Sequence, residues 1–169
     1  GTEFRYKSGD TELMGLVLEK ATGKNLSDYA SEKLWKPMGA VHSALWSLDE
    51  KDGHEKAYCC FNTNARDFSR FGTLSLHHGN WNGKQLVDSN YVSESTSPNM
   101  IKDEDGKPCN YYGFFWWLLS DRKNIFYARG ILGQYIICIP EKNMVIVRLG
   151  NERGKEKNHS YTEVYSMVD

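Results

Sequence analysis

The sequence predicts an α+β fold, with helices and loops over residues 1–110 and an antiparallel sheet plus a terminal helix over residues 111–169. Two observations predict this division. Apolar residues recur at helical spacing in the first part, and four runs rich in β-branched and aromatic residues follow one another in the second. The chain has 169 residues, of which 40% are hydrophobic, so a single domain with a buried core is expected.

The first helices are bounded by recognisable residues. Helical spacing places four apolar side chains on one face of a helix predicted over residues 10–22, namely Met14, Val17, Leu18 and Ala21. Gly23 supplies the stop of this helix. A second short helix is predicted from Leu26 to Leu34, before Pro37.

A third helix is predicted over residues 64–78 because apolar side chains again recur at helical spacing there. Thr63 is its expected N-cap, and Asp67 places a negative charge in its first turn. The preceding segment, residues 39–62, is expected to be irregular with short strands.

Turn residues punctuate the next part of the chain. Asn82 and Gly83 predict a turn, and Asp88 can cap a short helix near residues 89–95. Residues 97–110 contain two prolines and an Asp-Gly pair, so they are expected to form a loop.

The second part of the chain predicts a β-meander. Four strands are expected, at Tyr112–Leu119, Ile125–Ile131, Tyr135–Ile139 and Met144–Leu149. The links between them are short, which favours antiparallel neighbours. Beyond them, helical spacing predicts a terminal helix that packs on the sheet through Tyr161, Val164, Tyr165 and Val168.

Composition argues against several functional classes. The 21 basic and 22 acidic residues nearly cancel, so no charged surface is expected for a nucleic acid partner. No apolar run approaches the roughly 20 residues of a membrane span, and residues 1–20 lack the pattern of a signal peptide. His77 and His78 lack partners at metal-ligand spacing, so neither a metal site nor a cofactor is expected.

The cysteines lack the C-x-x-C spacing of zinc and redox sites. They are Cys59, Cys60, Cys109 and Cys138. Neighbouring side chains point to opposite faces of a strand, so one of Cys59 and Cys60 is expected to be buried and the other to point outward. All four cysteines are interpreted as structural, buried free thiols, with a single disulfide left open.

A tyrosine and a serine stand directly before the first helix. Residues i and i+2 of an extended segment point to the same side, so Tyr6 and Ser8 can face one cleft. The alternative is a capped helix start, in which Ser8 or Asp10 accepts an N–H bond and Tyr6 merely packs.

Several further motifs follow Tyr6-x-Ser8 in a fixed order. They are the segments at residues 21–24, 34–39, 63–72, 81–86, 112–117 and 130–135. By these motifs the chain resembles the serine β-lactamase-related family, in particular class C β-lactamases, related esterases and penicillin-binding proteins. The resemblance covers nearly the whole chain and implies the C-terminal portion of a β-lactamase/transpeptidase-like fold. The N-terminal strands and the helix that bears the nucleophile are then missing from it.

The family takes its nucleophile from a Ser-x-x-Lys motif. The one match here runs from Ser120 to Lys123, in the link between two predicted strands, and is interpreted as solvated surface. The resemblance therefore implies that the genuine motif lies upstream of Gly1 and that this chain is inactive alone.

The resemblance assigns roles to the first motif. Tyr6 would be the general base or proton relay for the missing serine, and Ser8 would hold substrate or the missing lysine by hydrogen bonds. Because an ordinary phenol has a pKa of about 10, cationic neighbours must favour the phenolate for Tyr6 to act near neutrality.

The family's third motif, Lys-Thr-Gly or His-x-Gly, aligns with residues 128–130. The usual cation is absent, and Arg129 would replace it as the group that binds a substrate carboxylate. Gly130 would allow close approach of the substrate, and the N–H of Ile131 would be one oxyanion donor. The structural alternatives are a solvated edge residue for Arg129 and a bulge or turn for Gly130.

The implied function is that of a portion of a serine hydrolase acting by acyl-enzyme chemistry on an ester, an amide or a β-lactam. The missing cation favours an esterase, amidase or peptidase over a β-lactamase. The alternative is a non-catalytic ligand-binding or sensor module on the same scaffold. The resemblance also suggests the bacterial cell envelope or secretion, and unpaired sheet surface would favour self-association.

Overall fold

The computed structural model describes all 169 residues. The chain divides into two compact units. Residues 5–67 form one unit, and residues 1–4 together with 68–169 form the other. The single domain expected from the sequence stays a prediction.

Two predicted helices open the unit of residues 5–67. Helix α1 spans Ser8–Thr22 and ends at Gly23, whose φ of 69° is left-handed and whose N–H donates to the carbonyl of Glu19. Helix α2 spans Leu26–Ala30 and continues as a π-type turn over Ser31–Trp35. Both helix predictions are confirmed.

Helix α1 is buried at Gly15 and not at its large apolar side chains. Only Gly15 is buried, whereas Met14 and Val17 are 54% and 51% exposed. A Cβ at Gly15 would lie 2.6 Å from the Cβ of Ala57 and 3.2 Å from Cδ1 of Leu26. Ala57 and Leu26 can therefore approach the helix backbone at Gly15 only because glycine has no side chain. Neither α1 nor any other helix combines the length and hydropathy needed to cross a membrane.

The same unit holds the predicted short strands. Strand β1, Leu45–Trp46, pairs antiparallel with β2, Phe61–Asn62. Helix α3 then begins at Ala65 and runs to Leu76. The predicted cap at Thr63 is wrong, because Asn64 precedes the helix and its Oδ1 accepts the N–H of Asp67 at 3.0 Å.

A hairpin and a short helix follow in the unit of residues 68–169. Strand β3, Asn80–Trp81, pairs with β4, Lys84–Gln85, across a turn in which both central residues have positive φ. Helix α4, Ser89–Ser95, begins where predicted because Asp88 accepts the N–H of Tyr91 at 2.9 Å.

The predicted meander is confirmed. Strand β5 is Trp117–Leu118, β6 is Phe126–Gly130, β7 is Gln134–Ile139 and β8 is Met144–Leu149, paired antiparallel in that order. The chain also forms a two-stranded ribbon from β9, Glu156–Lys157, and β10, Ser160–Tyr161. Strand β8 is an edge of the four-stranded sheet, and self-association through exposed sheet surface stays a prediction.

Both faces of the four-stranded sheet are buried. On one face, helix α5, Thr162–Val168, packs its apolar side chains against Tyr127, Tyr135 and Ile137, as the sequence predicts. On the other face, Phe71 and Leu76 of α3 pack against Trp116, Phe126 and Cys138. Alternate residues of each strand therefore belong to different cores.

Candidate functional site

Tyr6 and Ser8 flank one extended residue at the start of α1. Lys7 has φ −135° and ψ 121°, and the helix begins at Ser8. A single extended residue therefore separates Tyr6 from Ser8, and the expectation that their side chains face one cleft stays a prediction. Tyr6 is 56% exposed and Ser8 is also exposed.

Helix capping does not account for these residues. The N-cap of α1 is Lys7, which makes no side-chain hydrogen bond to the helix. Ser8 is already helical, and Asp10 contributes only negative charge to the first turn. The alternative in which Ser8 or Asp10 caps the helix is therefore wrong.

Helix α1 is fixed by carboxylates along its length. Oε2 of Glu12 accepts the N–H of Ala57 at 2.8 Å. Near the C-terminal end of the helix, Oε2 of Glu19 lies 2.6 Å from Nδ1 of His54, and Oε1 of Glu19 accepts the N–H of Leu26 at 3.3 Å. The backbone behind Tyr6 and Ser8 is thus held by its own unit.

Arg129, Gly130 and Ile131 lie in the other unit, at the end of β6. A one-turn 3-10 helix over Ile131–Gly133 links β6 to β7. Gly130 and Ile131 are exposed, Ile131 by 78%. Gly130 has an ordinary extended φ of −104°, so the left-handed positions of the turn are Leu132 at 55° and Gly133 at 79°. The roles of Gly130 and Ile131 in binding an oxyanion stay predictions.

The side chain of Arg129 packs on the sheet. Its guanidinium carbon lies 3.2 Å from the centre of the Trp117 ring, and its Nη1 donates to the carbonyl of His159 at 3.0 Å. Arg129 is half-buried, so the interpretation as a solvated edge residue is incomplete. The stack on Trp117 gives the side chain a packing role, and the carboxylate-binding role stays a prediction.

Arg129→Lys is expected to lower the free energy of unfolding by about 1 kcal/mol. A lysine keeps the charge but cannot lay a planar fork on Trp117 while donating to His159. Urea unfolding measures the change, with Arg153→Lys as the control because Arg153 is exposed and lies farther from its ring, 5.1 Å from Tyr161. Equal stability of Arg129→Lys and the unmodified chain would contradict the packing role.

A buried carboxylate is the best-connected polar group of the unit of residues 5–67. Asp67 is fully buried, and its oxygens accept the N–H groups of Val41 and His42 at 3.1 Å and Nδ2 of Asn64 at 2.7 Å. Burial alone would raise the pKa of Asp67, but hydrogen bonds from Asn64, Val41 and His42 hold it well below its usual range. An asparagine that can cap a helix, followed three residues later by an acidic residue in the first turn, is a helix-start signal that could have identified this cluster.

The cysteines differ from the expectation. Cys59 and Cys60 form a disulfide between neighbouring residues, so the interpretation of this pair as free thiols is wrong. Cys109 and Cys138 are free and buried, as expected. Burial raises the pKa of the Cys138 thiol to about 12, and it also raises the pKa of Cys109.

A cavity of about 400 Å³ lies within the unit of residues 5–67. Its walls include three aromatic rings, Trp35, Trp46 and Phe61, in which Phe61 contacts each indole edge-to-face. The rest of the lining comes from residues 27–44, so neither Tyr6 nor Ser8 faces this cavity.

Comparisons with known proteins agree on one family. The family model described as Beta-lactamase matches residues 1–165. A 6-aminohexanoate-dimer hydrolase from Paenarthrobacter ureafaciens is 26% identical over 93% of this chain. A solved structure from Bacillus anthracis, provisionally named a 6-aminohexanoate-dimer hydrolase, is 30% identical over 98% of the chain with a TM-score of 0.81.

A more distant structure shows the same fold. A beta-lactamase from Mycobacterium bovis superposes with a TM-score of 0.70 at 14% identity, over 99% of this chain. The chain spans 41% of the Paenarthrobacter protein, 42% of the Bacillus chain and 64% of the Mycobacterium chain.

Proposed function

Because the chain belongs to the beta-lactamase family, we propose that its complete gene product is a serine hydrolase that cleaves a small amide through an acyl-enzyme. The amide is favoured because two similar proteins carry names that assign them to the hydrolysis of the 6-aminohexanoate dimer. An ester is the next substrate class to test, since the same acyl transfer would cleave it.

One observation carries the proposal, namely the exposed pair of Tyr6 and Ser8 at the start of an anchored helix. In the proposed reaction, Tyr6 acts as the phenolate and takes the proton of the nucleophilic serine as that serine attacks the carbonyl carbon. Tyr6 then returns the proton to the departing amine, which leaves an ester on the serine.

Water completes the proposed cycle. Tyr6 takes a proton from the water molecule that attacks the acyl-enzyme and passes it to the serine as the acid product leaves. Ser8 would orient the substrate or the lysine of the nucleophile motif. That motif, Ser-x-x-Lys, would lie in a part of the protein outside this chain, because Ser120 lies in an exposed turn between β5 and β6.

The test is intact-mass analysis of the complete gene product after exposure to a fluorophosphonate and, separately, to a penicillin. We expect a fluorophosphonate adduct on a serine followed by lysine three residues later, and release of free amine from the 6-aminohexanoate dimer. The residue 1–169 chain alone is the control and should form no adduct. A folded gene product that forms no adduct with either reagent would contradict the proposal and favour the non-catalytic binding module.

A further inference from the structure

The disulfide between Cys59 and Cys60 is poorly suited to stabilising the fold. A cross-link stabilises mainly by closing a loop of the unfolded chain, and its effect grows with the length of that loop. The two cysteines are adjacent, with their Cα atoms 3.8 Å apart, so the cross-link closes the shortest loop available. Another role has to account for the bond.

Solvent reaches this disulfide. Cys60 is exposed and Cys59 is half-buried. Cys109 and Cys138, by contrast, are each 0% exposed, and burial raises the pKa of both thiols. The chain thus carries one disulfide that reagents can reach and two free cysteine thiols that burial shields from reagents.

The disulfide lies where the backbone has an unfavourable conformation. Cys60 has a φ of 68°, in the left-handed region that non-glycine residues seldom adopt. Hydrogen bonds hold both cysteine carbonyls, one from Nε1 of Trp46 to Cys59 and one from the N–H of Ser47 to Cys60. The eight-membered ring formed by the bond helps to keep Cys60 in this conformation.

The loop around the disulfide contacts helix α1 and the wall of the cavity in its own unit. Ala57, two residues earlier, donates its N–H to Glu12, one helical turn after Ser8. Phe61, the next residue, lines the 400 Å³ cavity together with Trp46. Because neighbours of the disulfide contact α1 and form part of the cavity wall, a change at the disulfide can alter both.

We propose that Cys59 and Cys60 form a reversible thiol–disulfide site whose reduction by a dithiol loosens residues 56–62 and the first turns of α1. The inference holds whatever reaction the protein catalyses. The chemical class of the reactant is a dithiol, either a small molecule or a protein of the thioredoxin kind.

The proposed reaction transfers two electrons. One thiolate of the dithiol attacks the sulfur of Cys60, the bond to Cys59 breaks, and the Cys59 sulfur leaves and takes up a proton. The second thiolate of the reagent attacks the mixed disulfide and releases the Cys60 sulfur, which is also protonated. The reagent leaves as a cyclic disulfide, and an oxidised dithiol reverses the sequence.

Alkylation of the folded gene product tests the chemistry. Iodoacetamide should leave the tryptic peptide of residues 57–66 unlabelled before treatment with dithiothreitol and add two groups to it afterwards. Phenylarsine oxide, which bridges neighbouring thiols, should bind once per reduced chain. Cys109 and Cys138 serve as internal controls and should stay unlabelled in both samples.

Two results would overturn the proposed chemistry. Labelling of residues 57–66 before reduction would show that the thiols are free. Absence of label after reduction, until the protein is denatured, would show that the bond is inaccessible.

Hydrogen exchange tests the conformational part. Reduction should speed exchange of residues 56–62 and of the first two turns of α1. The double variant Cys59→Ser/Cys60→Ser should exchange at the faster rate with or without dithiothreitol. Exchange that is equal in the oxidised and reduced protein would contradict the coupling to α1.

Discussion

Tyr6→Phe is expected to slow acylation of the complete gene product by about 100-fold or more with little loss of stability. The substitution removes only the hydroxyl that would carry the proton between serine, leaving group and water. Tyr6 is 56% exposed, so the ring contributes little buried area whose packing could change. The rate of fluorophosphonate adduct formation, followed by intact mass, measures the effect.

Tyr91→Phe is the matched control for Tyr6→Phe. Tyr91 is 49% exposed and lies in the first turn of α4, whereas Tyr6 lies just before the first turn of α1, so both phenols stand near the start of a helix. The Tyr91→Phe variant should be acylated at the same rate as the unmodified gene product. Retained acylation in Tyr6→Phe would remove Tyr6 from the proposed mechanism, whereas a loss in both variants would point to a general effect of losing an exposed phenol.

Asp67→Ala is expected to lower the free energy of unfolding by about 3 kcal/mol. The substitution leaves the N–H groups of Val41 and His42 and the amide of Asn64 without the acceptor that they share. Urea unfolding of the residue 1–169 chain at neutral pH measures the loss. Asp28→Ala is the control, because Asp28 is exposed. A loss below about 1 kcal/mol would contradict a central role for this carboxylate.

The same carboxylate predicts a pH dependence. The pKa of Asp67 is lower in the folded chain than its ordinary value, so the unfolded chain binds the proton more tightly. Its contribution is therefore complete above an ordinary carboxyl pKa of about 4 and is lost as the pH falls further toward the folded pKa. The stability difference between the unmodified chain and Asp67→Ala should narrow below pH of about 4, and a constant difference down to pH of about 2 would contradict the assignment.

Local signals predicted the elements that local chemistry determines. Asp88 fixed the start of α4 because its side chain accepts an N–H of the same short helix. The meander followed from four runs of suitable residues with short links. The extended backbone expected between Tyr6 and Ser8 is present at Lys7.

Long-range contacts account for what the sequence did not predict. The first strand of the meander, β5, is two residues long instead of the predicted eight. Phe115 has a φ of 63°, and Gly113 packs closely against the backbone of Ser95, so the chain before Trp117 does not continue the strand. The partner of Arg129 is the carbonyl of His159, thirty residues away in the sequence. No pattern around Arg129 indicates that contact, and none around Cys59 shows that it bonds to its neighbour.

The adjacent indoles of Trp116 and Trp117 give the molecule two optical reporters on one peptide unit. Trp116 stacks on Phe71 of α3 at 5.8 Å, whereas Trp117 meets the ring of Tyr112 edge-to-face at 5.0 Å on the other side of the sheet. With the other three of the five tryptophans replaced as well, changing one of these two indoles to phenylalanine would leave the remaining indole to report on a single side. Fluorescence of two such variants during refolding could therefore time the closure of each side separately.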